Sequence, residues 1–429
     1  MCHVPTGGAE MTRILHCADV HAYYDNYGIT DPGTGMNSRY LDLFRSLRFV
    51  AQTASQEKVD LAVIAGDLFK NKLPAYSSFS LIVDWLRGLA DVCPVVLISG
   101  NHDVRNDQDE GPVDALYGAC IPGVHIVTPP TGKRKGSGAR VLHFPGLAVA
   151  CLSSVSKSVL LTQEQYKDLD PVAVNHVMSD KLVDVIRGLA AQMPQTGTRI
   201  LLTHSTVAGA RTSSDQLINV LQEPVLPIGE LAVPQFDLVC LGHIHKMQVL
   251  SKESPWIGYS GNIERVDFGE EDEPKGFFIH DTATGEHKFV EVPARKFATL
   301  EVEPGMFSEV KANLITPADA VMQTLATGTT DLRDNVVRVT IRCSKADARQ
   351  INVPAVKTAL LERGAHLVAG VTFDLTDDES ADRKRAGDVT AAMDSMTALN
   401  RYIDAHPELG NGKRDGLVAR AALLMKEVA

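Results

Sequence analysis

The chain has 429 residues, of which 44% are hydrophobic and 22% charged, with a formal net charge of −11. That length suits two or three domains, and the composition excludes a disordered or fibrous chain. The acidic balance argues against a nucleic-acid binder that relies on net charge alone, and no stretch reaches the roughly 20 apolar residues that span a bilayer.

Residues 1–10, MCHVPTGGAE, hold Gly, Pro and Glu where a secretory signal needs an apolar run. They read as a disordered leader ahead of Met11, so export is not expected and a cytoplasmic location is. The seven cysteines are scattered with no CxxC spacing and an odd total. That usage fits a reducing compartment in which thiols serve as small core residues. Strands are expected at Arg13–Cys17, Leu61–Ile64, Val95–Ile98, Arg199–Leu202 and Leu238–Leu241, with amphipathic helices such as Tyr40–Glu57 and Ser78–Ala90 between them. Short, nearly all-apolar strands alternating with helices imply an α/β layered domain covered on both faces.

From Thr299 the pattern changes to strand (Thr299–Val302), helix (Ser308–Leu314 or beyond), strand (Val336–Cys343), helix (Val353–Gly364) and strand (Leu367–Phe373). That is a small α+β unit. A charged stretch without apolar period follows at 374–389, and helical periodicity resumes over 390–429, broken between Pro407 and Gly416. The segment Pro129–Arg140 is Gly- and Lys-rich and reads as a solvated hairpin tip.

The chemistry sits where the strands stop. Arg13–Cys17 runs into Asp19-Val20-His21, and Leu61–Ile64 into Gly66-Asp67. Val95–Ile98 runs into Gly100-Asn101-His102-Asp103, Arg199–Leu202 into His204, and Leu238–Leu241 into Gly242-His243-Ile244-His245. In α/β sheets ligands gather beyond the carboxyl ends of strands, so these groups are expected to converge. Imidazole nitrogens, carboxylate oxygens and one amide oxygen suit Mn²⁺, Fe²⁺, Zn²⁺ or Co²⁺ better than Ca²⁺. Asp19, His21, Asp67, Asn101, His204, His243 and His245 are too many donors for one ion. They divide naturally into two sites with Asp67 as the bridge, the arrangement that clamps a phosphoryl group. His102 is placed to reach the leaving oxygen, and Asp103 to orient the His102 ring. Each short motif taken alone is commonplace; all of them in order at strand ends are not. The remaining histidines, His16 and His125 among them, read as ordinary core or surface residues.

Over residues 13–245 the series DxH, GD, GNHD, H and GHxH resembles the signature of calcineurin-like metallophosphoesterases. Tyr259-Ser260-Gly261-Asn262-Ile263-Glu264-Arg265-Val266-Asp267-Phe268-Gly269-Glu270, followed by Lys275-Gly276-Phe277, resembles the segment closing the phosphoesterase domain of SbcD-type DNA double-strand-break repair nucleases. The resemblance implies a layered β-sandwich flanked by helices (11–298), a DNA-capping domain (299–373), a linker (374–389) and a helix-loop-helix (390–429) that docks a partner. It implies one metal on Asp19, His21, Asp67 and His245 and another on Asp67, Asn101, His204 and His243, with Mn²⁺ the expected ion. His102 would protonate the leaving 3′ oxygen, and Asp103 would support it. The implied activity is Mn²⁺-dependent 3′–5′ exonuclease action on duplex ends, with endonuclease action on hairpins and single strands, in DNA repair or recombination. The implied partners are DNA and an SbcC-type coiled-coil ATPase, with a homodimer inside a heterotetramer.

Two positions depart from the family pattern. Lys70 stands where some relatives carry a histidine, and Asn262 follows Gly261 where a smaller residue is usual. The acidic charge is assigned largely to Glu270–Glu273 and Asp374–Asp382, away from the site, with Arg211, Lys246 and Arg265 as candidates for a local basic groove. The alternatives are a small-molecule or cyclic-nucleotide phosphodiesterase or phosphatase, and a non-catalytic DNA-end tether.

Overall fold

A computed structural model of the protein describes residues 12–22, 26–104, 111–129, 138–155, 166, 168–213, 223–306, 308–311 and 314–376, with 416, 418, 420 and 421. The leader, the tip of the Pro129–Arg140 segment, most of the linker and nearly all of the C-terminal helix-loop-helix lie outside the described residues. The chain divides into two compact units. One is Met1–Ala298 with Arg333–Val336 and Ala365–Ala369; the other is Thr299–Leu332, Val337–Gly364 and Gly370–Ala429.

The strands of the first unit begin with β1 (Arg13–Cys17), β2 (Leu61–Ala65), β3 (Val95–Ile98), β4 (Val124–Val127), β5 (Ala139–Phe144), β6 (Leu147–Leu152) and β7 (Thr198–His204). They continue with β8 (Thr206–Val207), β9 (Val225–Leu226), β10 (Leu238–Gly242), β11 (Gln248–Ser251), β12 (Trp256–Tyr259), β13 (Gly276–Asp281) and β14 (Glu286–Glu291). One six-stranded sheet has the order β14-β13-β1-β2-β3-β4, the other β11-β12-β10-β7-β6-β5, and β8 pairs with β9. The first sheet is parallel from β1 to β4 and antiparallel at β13 and β14, and the second has a parallel centre with antiparallel edges β11 and β5.

Strand β2, Leu-Ala-Val-Ile-Ala, is buried along its whole length because both faces are covered. Ala62 and Ile64 point into the core beneath helices α1 (Ser38–Gln56) and α2 (Tyr76–Ala90), while Leu61, Val63 and Ala65 point at the other sheet. Helix α1 starts where the Asn37 side chain accepts the Arg39 backbone N–H, and Leu43, Leu47, Val50 and Ala54 recur on its buried face. The outer face of the second sheet is covered by helix Pro171–Ala190, whose Val183, Ile186 and Leu189 pack with Leu201, Val239 and Leu241. The fold is therefore α/β, two sheets packed face to face and flanked by helices.

The five strands expected from sequence are all present, but they do not share one sheet. β1, β2 and β3 are neighbours in the first, β7 and β10 in the second. Their carboxyl ends abut closely: a Cβ on Gly242 would stand 1.9 Å from the Ala65 oxygen, so only glycine fits there. Among the described residues no helix is long and apolar enough to cross a membrane.

The second unit carries most of a three-stranded sheet in the order β15 (Phe297–Val302), β16 (Val336–Cys343), β17 (Leu367–Leu375). The helix expected from Ser308 is described over Ser308–Lys311, and a separate one covers Pro317–Thr327. It starts anew because Thr316 and Asp319 form a capping box and Pro317 stands in the first turn. Strand β17 outlasts the expected Phe373 by two residues, and Thr376 N–H still bonds the Cys343 carbonyl at 3.0 Å.

Helix α1 also carries a buried charge cluster within the first unit. Asp42 accepts from Arg39 at 2.9 Å and from Arg295 Nε and Nη2 at 2.7 Å each, and it also pairs with Arg45. Arg39 reaches Glu264 at 3.4 Å, and Ser46 donates to the same carboxylate at 2.5 Å. Removing the shared acceptor takes the buried carboxylate from two buried guanidiniums and leaves Arg39 with Glu264 and the Arg265 carbonyl and Arg295 with Asp334, so Asp42→Ala should cost about 3 kcal/mol of stability. A denaturant titration reads this directly; a loss within about 0.5 kcal/mol, as for an ordinary surface change, would contradict it.

Candidate metal centre

The loops after β1 and β2 run side by side. Asp19 N–H bonds the Gly66 carbonyl at 3.1 Å, His21 N–H the Asp67 carbonyl at 2.9 Å and Ala22 N–H the Leu68 carbonyl at 2.8 Å. Backbone conformation in these loops is unusual. Asp19, His21, Asp67 and His243 have φ of 51°, 47°, 50° and 103°, in the left-handed region that non-glycine residues seldom adopt. Gly66, at φ 88°, takes the same turn where a Cβ would meet His204 Nδ1 at 2.5 Å. The strain turns four candidate ligands toward one junction between the sheets.

At that junction Asp19, His21, Asp67 and His204 are each at most 3% exposed. His21 Nε2 stands 2.9 Å from His245 Nε2, 3.7 Å from Asp67 Oδ2 and 3.9 Å from Asp19 Oδ1. His204 Nε2 stands 3.4 Å from the same Asp67 oxygen and 3.0 Å from Asn101 Oδ1, which lies 3.1 Å from His243 Nδ1. Donor atoms of Asp19, His21 and His245 lie within 4.8 Å of one another, as do those of Asp19, Asp67 and His204 and those of His21, Asp67 and His102. All seven ligands expected from sequence are thus brought together, with Asp67 between the two groups.

Hydrogen bonds select the tautomers. His204 Nδ1 lies 2.7 Å from the Ala65 carbonyl, which only accepts, so Nδ1 carries the proton and Nε2 offers a lone pair. His245 donates Nδ1–H to Glu270 Oε1 at 2.8 Å, and His243 donates Nε2–H to Glu223 Oε2 at 2.8 Å. Each leaves its other nitrogen facing the junction, the posture of a metal-binding histidine held by a carboxylate. Burial raises the Asp67 carboxyl, but His204, His21 and His102 outweigh it and hold the group well below the usual carboxylate range. Burial lowers His204, yet Asp67 and Asp19 push it up to about 9, so a cation that takes the Nε2 lone pair displaces a proton there. The carboxylates demand positive charge. Converging lone pairs and buried carboxylates fit divalent cations.

His102 donates its backbone N–H to Asp67 Oδ1 at 2.8 Å and its ring Nδ1–H to the Lys70 carbonyl at 3.0 Å. Lys70 thus serves His102 through its backbone. Asp103 does not orient the His102 ring as expected from sequence. Its carboxylate accepts the backbone N–H groups of Leu68 (3.2 Å), Phe69 (3.0 Å) and Gly100 (3.0 Å), tying the loop after β2 to the loop after β3.

Two further expectations need correction. Glu270 does not lie away from the site: it is 3% exposed, holding His245 with one oxygen and accepting from Asn262 Nδ2 (2.9 Å) and Val266 N–H (3.0 Å) with the other. Fully buried Lys275 pairs with it at 2.9 Å. Arg265 is no groove residue: it is 6% exposed and donates to the carbonyls of Glu270, Glu271, Glu273 and Arg295. Glu223 and Glu270 were not legible as site residues, one isolated before Pro224, the other inside a run of acids. The departure at Asn262 finds its reason here, since its amide fixes Glu270.

The chain matches the calcineurin-like phosphoesterases over residues 12–247, more than half its length, and belongs to that family. Hydrolysis of phosphoesters with divalent metal ions is the family's chemistry. Among solved structures the chain is similar to TT1561 of Thermus thermophilus, at 12% identity over 66% of this chain and 99% of that one, with a TM-score of 0.37. It is also similar to a dimetal phosphatase from Danio rerio (12% identity, 63% and 92% covered, TM-score 0.37) and to GAP50, the anchor in the inner membrane complex of Plasmodium (12%, 66% and 90%, 0.32).

Replacing Glu270 with Gln removes the negative charge that holds His245 and leaves one acceptor oxygen where the carboxylate uses two. Mn²⁺ affinity, measured by calorimetric titration, should fall about 10–100-fold while the fold persists. Unchanged affinity would show that His245 needs no such partner.

Proposed function

We propose that this protein is the nuclease subunit of an SbcCD-type complex, cleaving DNA phosphodiesters with two divalent ions, Mn²⁺ by expectation. The observation that carries the reading is the use made of the Tyr259–Glu270 segment. The stretch that resembles SbcD-type nucleases supplies Glu270, which holds His245, and Asn262, which holds Glu270. That the stretch carrying the resemblance also braces a candidate metal-binding histidine supports the reading.

When bound, a pair of divalent ions supplies Lewis-acid activation of the phosphoryl oxygen and of the attacking water. The protein's own groups do the rest. Asp67 sits between the two donor sets and also receives the His102 backbone N–H, so ligand and proton donor keep one register. With Nδ1–H committed to the Lys70 carbonyl, Nε2 is the nitrogen left to serve the substrate, and the imidazolium form of His102 would give its Nε2 proton to the departing 3′ oxygen and remain as the neutral Nδ1–H tautomer. Glu223 and Glu270 keep His243 and His245 in one tautomer through the cycle. In this reading residues 299–373 cap bound DNA and residues 390–429 dock the coiled-coil ATPase, in a homodimer within a heterotetramer.

One observation favours a second reading, a small-molecule phosphodiesterase or phosphatase. A cavity of about 220 Å³ lined by Val20, Tyr40, Leu43 and Leu81 has His21 in its wall, large enough for one modest apolar group. Cleavage of end-labelled duplex DNA and of bis-p-nitrophenyl phosphate separates the readings. Both should be cleaved with Mn²⁺ and neither with EDTA, and His102→Ala should slow both by roughly 10²–10⁴ at unchanged metal content. Ester cleavage with DNA intact, even after the ATPase is added, would favour the small-molecule enzyme. No cleavage of either by the metal-loaded protein would point to a tether.

A further inference from the structure

A separate group of metal-competent side chains lies in the core between the two sheets, away from the strand ends. His16 of β1, Cys240 of β10 and His280 of β13 are each 0% exposed, and one donor atom from each lies within 4.8 Å of the others. Their surroundings are apolar or aromatic. Phe278 stacks on His16 with ring centroids 6.4 Å apart, Trp256 meets His280 at 4.6 Å, and Ile14, Val63 and Leu238 fill the same layer.

Hydrogen bonding decides which atoms are spare. His16 Nε2 lies 3.0 Å from the Leu241 carbonyl, so it carries the proton, and Nδ1 is left with a lone pair and no partner. His280 Nδ1 meets His287 Nδ1 at 2.9 Å, and Nε2 has no partner. Cys240 is a free thiol. Buried polar atoms are almost always satisfied, because losing water without a replacement is costly. Two orphaned imidazole nitrogens beside a buried thiol are a set of donors waiting for an acceptor of electron pairs.

We propose that His16 Nδ1, His280 Nε2 and Cys240 Sγ form a structural site for a soft monovalent cation, Cu⁺. Two arguments select the ion. Three donors including a thiolate suit Cu⁺, whereas structural Zn²⁺ takes four. Charge gives the same answer: among the described residues the group holds two imidazoles and one thiol and no carboxylate. Cu⁺ with one thiolate is neutral, while Zn²⁺ would leave an uncompensated positive charge in a dry core. On binding, the S–H bond breaks, an S–Cu bond forms and the proton leaves to solvent, with no change of oxidation state. Affinity therefore rises with pH. His16 and His280 belong to adjacent strands of the first sheet and Cys240 to the second, so the ion would clamp one sheet to the other.

The test uses the full chain, unfolded and refolded without oxygen in the presence of Cu⁺, because the closed core gives the ion entry only during folding. Mn²⁺ is added to occupy the strand-end site, and loose copper is removed with a Cu⁺ chelator. The expected result is one copper per chain, a thiolate-to-copper band in the near ultraviolet, and an X-ray absorption shell of one sulfur and two nitrogens. Cys240→Ala should lose the copper and the band while keeping Mn²⁺-dependent ester cleavage, and the copper-loaded wild type should melt at a higher temperature than the copper-free protein. The strand-end site holds no thiol, so sulfur in the shell distinguishes the two. Copper well below one per chain, a shell without sulfur, or full copper in Cys240→Ala would overturn the proposal. Should Cys240→Ala not fold, the wild-type shell and copper loss in His280→Gln decide alone.

Discussion

His204 donates its Nδ1–H across the junction of the two sheets to the Ala65 carbonyl at 2.7 Å, with donor and acceptor both buried. A carbonyl has nothing to donate, so this bond settles the tautomer and turns Nε2 toward Asp67 and Asn101. It also joins the end of β7 to the end of β2, and thus one sheet to the other, at the place where the candidate ligands gather. The close approach at Gly242 and the bond from His243 N–H to Asp19 Oδ2 at 3.0 Å repeat the same tie from β10. Without this abutment the five strand ends would be five separate loops.

Holding the ligands there is energetically expensive. Four of them sit in left-handed backbone conformations, each costing on the order of 1–3 kcal/mol, against a typical domain stability of about 5–15 kcal/mol. The surrounding hydrogen bonds offset that strain: the parallel pairing of the loops after β1 and β2, and the three backbone N–H groups gathered by Asp103. Asp103 therefore matters to the site as a brace, not as a partner of His102. Glu270, itself held by Asn262 and Lys275, plays a similar part for His245.

Much of this was legible in the sequence because the relevant signals are local. All-apolar runs such as Leu61–Ala65 announce strands buried on both faces, and an Asp, Asn or His just beyond each one marks a carboxyl-end site. What was not legible depends on contacts distant in sequence. Nothing local says that β1 and β10 belong to different sheets, or that Arg265 spends its guanidinium on four backbone carbonyls. Glu270 reads as solvated among Glu271, Asp272 and Glu273 until its burial is known. Asp103 looks like a partner for its neighbour His102, yet its carboxylate turns to backbone groups on another loop. His16 and His280 lie 264 positions apart, and only strand pairing reveals them as neighbours.

Side chains from the two sheets meet at a site that would hold a pair of divalent ions, with Asp67 between the two donor sets. Electron paramagnetic resonance of the protein titrated with Mn²⁺ tests it most directly. The account predicts two Mn²⁺ per chain and the multiline signature of two exchange-coupled ions, replaced by an uncoupled signal in Asp67→Ala. A single uncoupled Mn²⁺ per chain in the wild type, or coupling that survives the loss of Asp67, would contradict it.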